Sequence, residues 1–329
     1  MENKFLKIDD EQQWQALLTK TLFRTFFHNS EWEKFLEKNF PWLKFEHYNW
    51  QDKALLSLAR VRVFGKEKLI SHPFCEYGGP LPLVSEIDGP TFQKNLFEEF
   101  KTPLKISFHP YLLKYFKGFD ASQSPRETYL LEQIQSLDPD KIGDRNCRRA
   151  VITARENGLT DERCEKTNDL KILYDYYVKN LKRHNALVYP FSFFEFFFKN
   201  SQAEILLVKK GEKTVGGNVF LFYDKFIHSF LCGFDEKYRK SGVHSLVIWS
   251  EIRKGQKDGF GTFELGATRK TSSLSDFKSR WGAKSYPVFE LKNYSGESGL
   301  RKSKLRNIFG LLPSFLIKKI GPYLLKYKL

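Results

Sequence analysis

Three segments of this 329-residue chain combine residue types and spacing that could do chemistry. The run FDEKYRKSGVHSL (Phe234 to Leu246) leaves a strand-like stretch and enters a helical one. Its Arg239, Lys240 and Gly242 stand where the free backbone amides of a helix start point outward, and such amides hold anions; a polar loop that merely caps a helix reads the same way. Further on, the strand-like Phe260 to Leu265 carries ELGATR to its C-terminal end, where α/β folds commonly bind ligands. Phe277-Lys278 and Arg280-Trp281-Gly282-Ala283 follow before a final strand. The third segment is Tyr77-Gly78-Gly79-Pro80-Leu81-Pro82. Glycines there permit close approach of backbone to a ligand, and serve a plain tight turn equally well.

Other chemistries lack their residues. Cys75, Cys147, Cys164 and Cys232 lie far apart without a CxxC pair, so metal and disulfide-scaffold readings are poor and buried free thiols are expected. The seven His are scattered, and His72, His109, His228 and His244 make no ligand or triad spacing. His72 and His228 fall in strand-like runs and read as satisfied structural residues. No Ser-His-Asp or Cys-His nucleophile pattern stands out.

Composition bounds the rest. Hydrophobic residues at 41% and charged residues at 28% exclude a disordered or collagen-like chain, and the length suggests about two domains. The net charge of +15 points to anionic partners. The acidic start MENKFLKIDDEQQW lacks the pattern of a signal peptide, and Val219 to Tyr223 or Phe191 to Phe198 are too short to span a bilayer. A cytoplasmic protein is expected.

The elements that must position these segments alternate. The first forty residues read as helix, with a capping box at Ser30-Glu31-Trp32-Glu33, and a second box opens a helix at Ser192-Phe-Phe-Glu195. Residues 54–74 read as two strands joined at Gly65-Lys66-Glu67, followed by the glycine loop, a helix near Phe92 to Phe100 and a strand at Leu104 to Phe108. The same order returns about 160 residues later: strands Ala203 to Lys209 and Thr214 to Tyr223, a hairpin through Tyr223-Asp224-Lys225, a loop, a helix from Val243, and the strand after Gly259. Between them lie a basic helix from Lys141 to Asn157, stopped by Gly158, and a second from Asn168 to His184. From Arg301 to Leu329 there is no acidic residue, and Leu305, Ile308, Phe309, Leu312 and Leu316 recur at helical spacing. This tail could lie on an anionic membrane surface, or dock as a helix on the protein core.

Several of these pieces together resemble one family. Arg239-Lys-Ser-Gly242-Val-His244 is similar to the R-x-x-G-x-G/A loop of GNAT acetyltransferases, with His244 in the last small position. ELGATR with Phe277-Lys278 and Trp281-Gly-Ala resembles the closing segment of the FemAB-like branch of that superfamily. Arg148-Arg149-Ala-Val-Ile-Thr-Ala154 to Gly158 resembles its R-R-x-I-x-x-A-x-x-x-G helix, and Pro73-Phe74 to Leu81 its PF-x-x-YGGPL segment. Leu312-Pro313 and Ile320-Gly321-Pro322 are similar to the ending of relatives associated with exopolysaccharide and PEP-CTERM systems.

The resemblance implies an α/β fold of tandem GNAT-like domains with mixed sheets and a cleft between them: residues 1–135, then 136–295, then a basic amphipathic tail at 296–329. It implies an acyltransferase that moves an activated acyl or aminoacyl group onto an amine of a cell-envelope, peptidoglycan or exopolysaccharide precursor. The donor would be aminoacyl-tRNA or acyl-CoA, with no permanently bound cofactor and no metal. By matched position Lys278 is the catalytic residue, stabilising developing negative charge. Arg148, Arg149, Tyr77, Gly78, Gly79 and Phe277 would bind substrate, an arginine clamping a diphosphate bidentately. Arg239 and Gly242 would bind the donor. Two other readings stay open: an acyl-CoA-dependent N-acyltransferase acting on a small-molecule or polysaccharide amine, and a non-catalytic envelope-assembly or membrane-binding protein. No long charged heptad run is seen, which weakens the aminoacyl-tRNA reading. Partners are an anionic donor or acceptor and, through 301–329, the inner face of a membrane.

Overall fold

A computed structural model describes residues 4–63, 65–295 and 312–327. The chain divides into two compact units: the first runs to Glu127 and resumes from Tyr286, and the second holds Thr128–Ser285 together with the C-terminal helix. The first contains β1 (Phe5–Ile8), α1 (Glu11–Leu18), α2 (Ser30–Asn39), β2 (Leu43–Trp50), β3 (Ala54–Val63), β4 (Lys66–Ile70), β5 (Leu81–Pro82), β6 (Ile87–Asp88), α3 (Gly89–Glu99), β7 (Leu104–Phe108) and β8 (Phe116–Lys117). Strand β9 (Ser122–Glu132) carries the chain into the second unit. There follow α4 (Arg145–Glu156), β10 (Leu159–Arg163), α5 (Thr167–Arg183), α6 (Phe191–Lys199), β11 (Ala203–Lys210), β12 (Lys213–Tyr223), β13 (Phe226–Phe234), α7 (Val243–Lys257), β14 (Thr262–Arg269) and α8 (Ser273–Ser279). Strand β15 (Lys284–Lys292) returns to the first unit, and α9 (Ser314–Leu324) belongs to the second.

Each unit has a mixed sheet. In the first the order is β1-β2-β3-β4-β7-β15, antiparallel except where β4 runs parallel to β7. In the second, β10-β11-β12-β13 is antiparallel and β14 runs parallel to β13. A hairpin, a loop, a helix and a parallel strand therefore occur in both. That is the repeat of element order read from the sequence.

Apolar periodicity explains which faces are buried. In the second unit Val151 and Ala154 of α4 meet Val243, Leu246 and Val247 of α7 above Phe220 and Phe263 of the sheet. Full burial of each large side chain contributes about 1.5–3 kcal/mol. In the first unit Trp32 and Leu36, one turn apart on α2, are fully buried.

Both expected capping boxes are corrected. Asn29, not Ser30, caps α2, accepting from the Glu31 amide at 2.9 Å. Glu33 turns inward and takes hydrogen bonds from Ser57 Oγ and His47 Nε2, each at 2.7 Å. A carboxylate this buried needs such partners, and that tertiary demand outweighs a local cap. Helix α6 begins after Pro190 without a side-chain cap, because burial of Phe193, Phe194 and Phe197 sets its position.

Of the expected amphipathic tail, Arg301 to Arg306, Leu305, Ile308 and Phe309 lie outside the described residues. Helix α9 packs on α5: Ile317 is fully buried, and Lys318 pairs with Asp175 above the Tyr174 ring. Phe315 and Tyr323 face outward, 68% and 72% exposed. No described helix is long and apolar enough to cross a membrane.

Candidate active site

The site begins where two parallel strands part. β13 and β14 pair only at Phe226–Thr262, Ile227–Phe263 and His228–Glu264, although β13 continues to Phe234 and β14 to Arg269. The register of β13 on β12 shifts between Ser229 and Leu231, leaving Phe230 as an extra residue. A bulge bends its strand and increases its twist, which carries β13 away from β14. Cys232, expected to be buried, is instead exposed on this diverging stretch, within electrostatic reach of Lys278.

Lys278 closes the opening on the β14 side. Helix α8 starts at a reciprocal cap in which Ser272 Oγ accepts from the Ser275 amide and Ser275 Oγ from the Ser272 amide. One turn later Lys278 points inward, only 6% exposed, and its Nζ donates to the Gly266 carbonyl at 2.7 Å. The ammonium lies 5.8 Å from the centre of the Tyr129 ring. It is therefore no solvated surface lysine. A buried ammonium held by a carbonyl and a ring face is ready to serve a fuller negative charge.

At the closed end of the opening, Glu264 is fully buried. It accepts from Tyr223 OH at 2.7 Å and Thr128 Oγ1 at 3.2 Å, with His228 Nδ1 3.7 Å away. One carboxylate thus ties β9, β12, β13 and β14 together where the strands separate. Sequence reasoning passed over Glu264. The available signal was an acid at strand spacing from Gly266, flanked by the apolar Phe263 and Leu265.

The arginine helix reaches this neighbourhood through its N-terminus. Asp144 caps α4, accepting from the Cys147 amide at 2.8 Å, while its own amide donates to the Arg280 carbonyl at 2.7 Å. Arg148 turns back to the Gly143 carbonyl, and Arg149 is exposed. Trp281, 1% exposed, is a core anchor beneath this junction.

The loop before α7 joins from the other side. Gly242 has φ +75°, and a Cβ there would sit 2.0 Å from the Ala150 carbonyl oxygen of α4. The glycine therefore answers to packing by the chain itself. Arg239 is exposed and pairs with Glu236 at 3.2 Å. His244, in the position that the resemblance gives to a last small residue, packs tilted against Phe234 with ring centres 3.7 Å apart, and Phe277 lies 6.1 Å from it. Lys278, Phe277, Arg148 and the Arg239–Gly242 loop thus share the second unit.

Tyr77, Gly78 and Gly79 belong to the first. Tyr77 is 1% exposed, its ring 4.8 Å from that of His109. A Cβ on Gly78 would meet the Ser71 backbone at 2.5 Å, so close approach there is to the protein itself. Gly79 has φ +119° beside His28.

Comparison with known proteins fits this geometry. A family described as acetyltransferase (GNAT) domain matches residues 143–279, the span from the start of the α4 junction to the end of α8. No curated protein matches. Among solved structures, FemX is similar at 13% identity and a TM-score of 0.62, covering 88% of this chain and 97% of its own. L-PGS from Bacillus licheniformis is similar at 14% identity and 0.59, covering 94% and 97%. A tandem GNAT protein from the clavulanic acid biosynthesis pathway gives 10% and 0.51, covering 89% and 99%. At such identities the likeness establishes the fold. Residues 143–279 therefore form a GNAT acetyltransferase domain, and the chain as a whole has a fold similar to the tandem fold of FemX.

Proposed function

We propose that this GNAT-fold acyltransferase moves an activated acyl or aminoacyl group onto an amine of a cell-envelope or exopolysaccharide precursor, with Lys278 at the donor carbonyl. The observation that carries this reading is the buried Lys278 ammonium on the Gly266 carbonyl, beside the opening between β13 and β14. In the reaction the acceptor nitrogen attacks the ester or thioester carbon and a tetrahedral oxyanion forms. The C–N bond is completed as the C–O or C–S bond breaks, and the amine proton leaves with the departing group or to water. Lys278 trades a neutral carbonyl for that oxyanion, so its contribution is largest in the transition state. Arg148 and Arg149 hold an acceptor diphosphate, Phe277 lines the acyl path, and Arg239 with the α7 amides after Gly242 meets the donor phosphates. Tyr77, Gly78 and Gly79 of the first unit carry an acceptor-loop role by matched position alone, Gly78 being packed on the Ser71 backbone.

The net charge of +15 supports a polyanionic donor, either aminoacyl-tRNA or acyl-CoA. The crowding of His244 against Phe234 favours a donor that does not thread a diphosphate deep onto the α7 N-terminus. A cytoplasmic location, with the basic C-terminal segment against anionic lipid, completes the proposal. Purified protein offered labelled aminoacyl-tRNA and acyl-CoA with an amine acceptor tests it. Transfer from one donor, lost in Lys278→Ala with donor binding retained, is expected. Turnover with neither donor, alongside lipid binding, would leave the non-catalytic reading.

A further inference from the structure

We propose that the first unit carries a separate site for a phosphate monoester, built on the face of its sheet that bears Lys68, Lys105, Arg126, Glu290 and Lys292. Lys105 of β7 and Lys292 of β15 stand directly opposite each other across an antiparallel pair, an arrangement that like charges disfavour. One carboxylate mediates. Glu290, 5% exposed, meets Lys105 Nζ at 3.0 Å and Lys292 Nζ at 2.6 Å, with Arg126 Nη2 at 4.0 Å. Lys68 of β4 joins them, its ammonium 4.9 Å from the centre of the Tyr294 ring. Its neighbour Glu67 is committed to Arg60 and Arg62. Four basic side chains therefore gather about Glu290.

The electrostatic consequence agrees with the geometry. Burial, together with the charges of Lys105 and Lys292, pushes Lys68 down to about 8, and burial lowers Lys105 as well. Glu290 is held down at about 2 by Lys105 and Lys292 against its own burial. A site where ammonium groups are crowded and their acid is already saturated gains most from a further anion. A dianion with several acceptor oxygens, such as a phosphate monoester, matches three or more converging donors better than a carboxylate does.

The rest of the ligand has somewhere to lie. A groove of about 620 Å³, lined by Phe97, Lys101, Lys292, Asn293, Tyr294 and Ser295, continues from Lys292 and Tyr294. Its wall is rigid, because Asn293 donates to the carbonyls of Phe100 and Thr102 and accepts from the Leu104 amide. That space is far larger than a phosphate and offers two rings, so the geometry suits an ester with an organic substituent. The site lies wholly within the first unit and does not depend on the transferase reading.

Calorimetric titration of the full chain with glycerol 3-phosphate and with inorganic phosphate, at matched chloride ionic strength, tests the proposal. Flotation with phosphatidate and phosphatidylcholine vesicles runs beside it. Saturable binding of the glycerol ester, tighter than inorganic phosphate, is expected. Lys68→Met and Lys105→Met should each weaken it about tenfold or more, since each removes a charge-assisted contact. Lys68→Met should melt no lower than the natural chain, while Lys278→Ala should bind the ester unchanged. Binding of phosphatidate vesicles alone, lost in the same two variants, identifies the ester as a lipid headgroup. Binding of neither probe, or binding that both lysine variants leave intact, overturns the site and leaves an internal ion-pair network.

Discussion

The two parallel strand pairs, β4 with β7 and β13 with β14, begin alike and end differently. In the first unit the opening beyond Ile70 is sealed by the chain. The Ser71 amide donates to the Lys105 carbonyl, Ser71 Oγ accepts from the Ser107 amide, and the Gly78 amide donates to the Ser107 carbonyl, each at 2.9 Å. In the second unit the corresponding opening beyond His228 has the side chain of Lys278 on Gly266. Backbone closure is permanent, whereas an ammonium on a four-carbon stem can exchange one acceptor for another. The same architecture is thus closed by backbone in one copy and met by a side chain in the other.

The largest effect that would break this comparison is kinetic. Lys278→Ala should slow single-turnover transfer by roughly 10²–10³, the usual consequence of removing one oxyanion donor. Lys278→Arg should recover part of the rate, because a planar guanidinium does not reproduce a compact charge. Thermal melting beside the kinetics separates lost chemistry from lost structure, and a stable alanine variant with full turnover would return both openings to equal status.

A second contrast concerns a buried acid in the second unit. Glu251 of α7 is fully buried, and burial, with Glu204 nearby, pushes its carboxyl up to about 8. The folded state then keeps a proton that the unfolded chain, near its ordinary 4.5, has released. Stability contributed by the neutral form is complete below pH 4.5 and declines as pH rises toward 8, at up to ~1.4 kcal/mol per pH unit. Glu251→Gln should flatten that segment of a denaturation-against-pH profile relative to the natural chain; parallel profiles would mean that the acid is already ionised in the fold.

Gly242→Ala should come next. Its new Cβ meets a backbone oxygen that cannot move aside, and φ +75° adds strain, together costing about 1–3 kcal/mol. A lowered midpoint in calorimetry is expected, and an unchanged one would show that α4 does not press on this loop. The smallest effect should be Ser71→Ala, which leaves the Ser107 amide without its acceptor for about 1 kcal/mol and does not alter turnover. A turnover defect there would mean that the sealed opening also takes part in the reaction.

Local rules made much of this legible. Hairpins at Gly65 and Asp224, the helix stop at Gly158 and the repeated order of elements follow from turn chemistry and periodicity over neighbouring residues. The segments around Arg148, Gly242 and Lys278 were recognisable as pieces, and the second unit does gather them. What the sequence could not show was which acid caps and which acid is buried. Ser30 and Glu33 have the spacing of a capping box, yet Asn29 caps while Glu33 serves His47 and Ser57. Pattern is local, but the desolvation of a carboxylate depends on every element packed above it.

By itself, then, the sequence determined an α/β chain with a doubled hairpin–helix–strand order, a strong positive charge and a lysine in a family-matched segment. Only the tertiary structure decided that Lys278 is buried on Gly266, that Asp144 meets Arg280 from across the chain, and that Gly242 and Gly78 yield space to the protein's own backbone. It also decided that one opening is bridged by backbone hydrogen bonds and that the other is met by the Lys278 side chain. The physical reason is common to all of these. The free energy of placing a charge or a Cβ depends on the atoms around it, and here those atoms come from residues that local pattern cannot bring together.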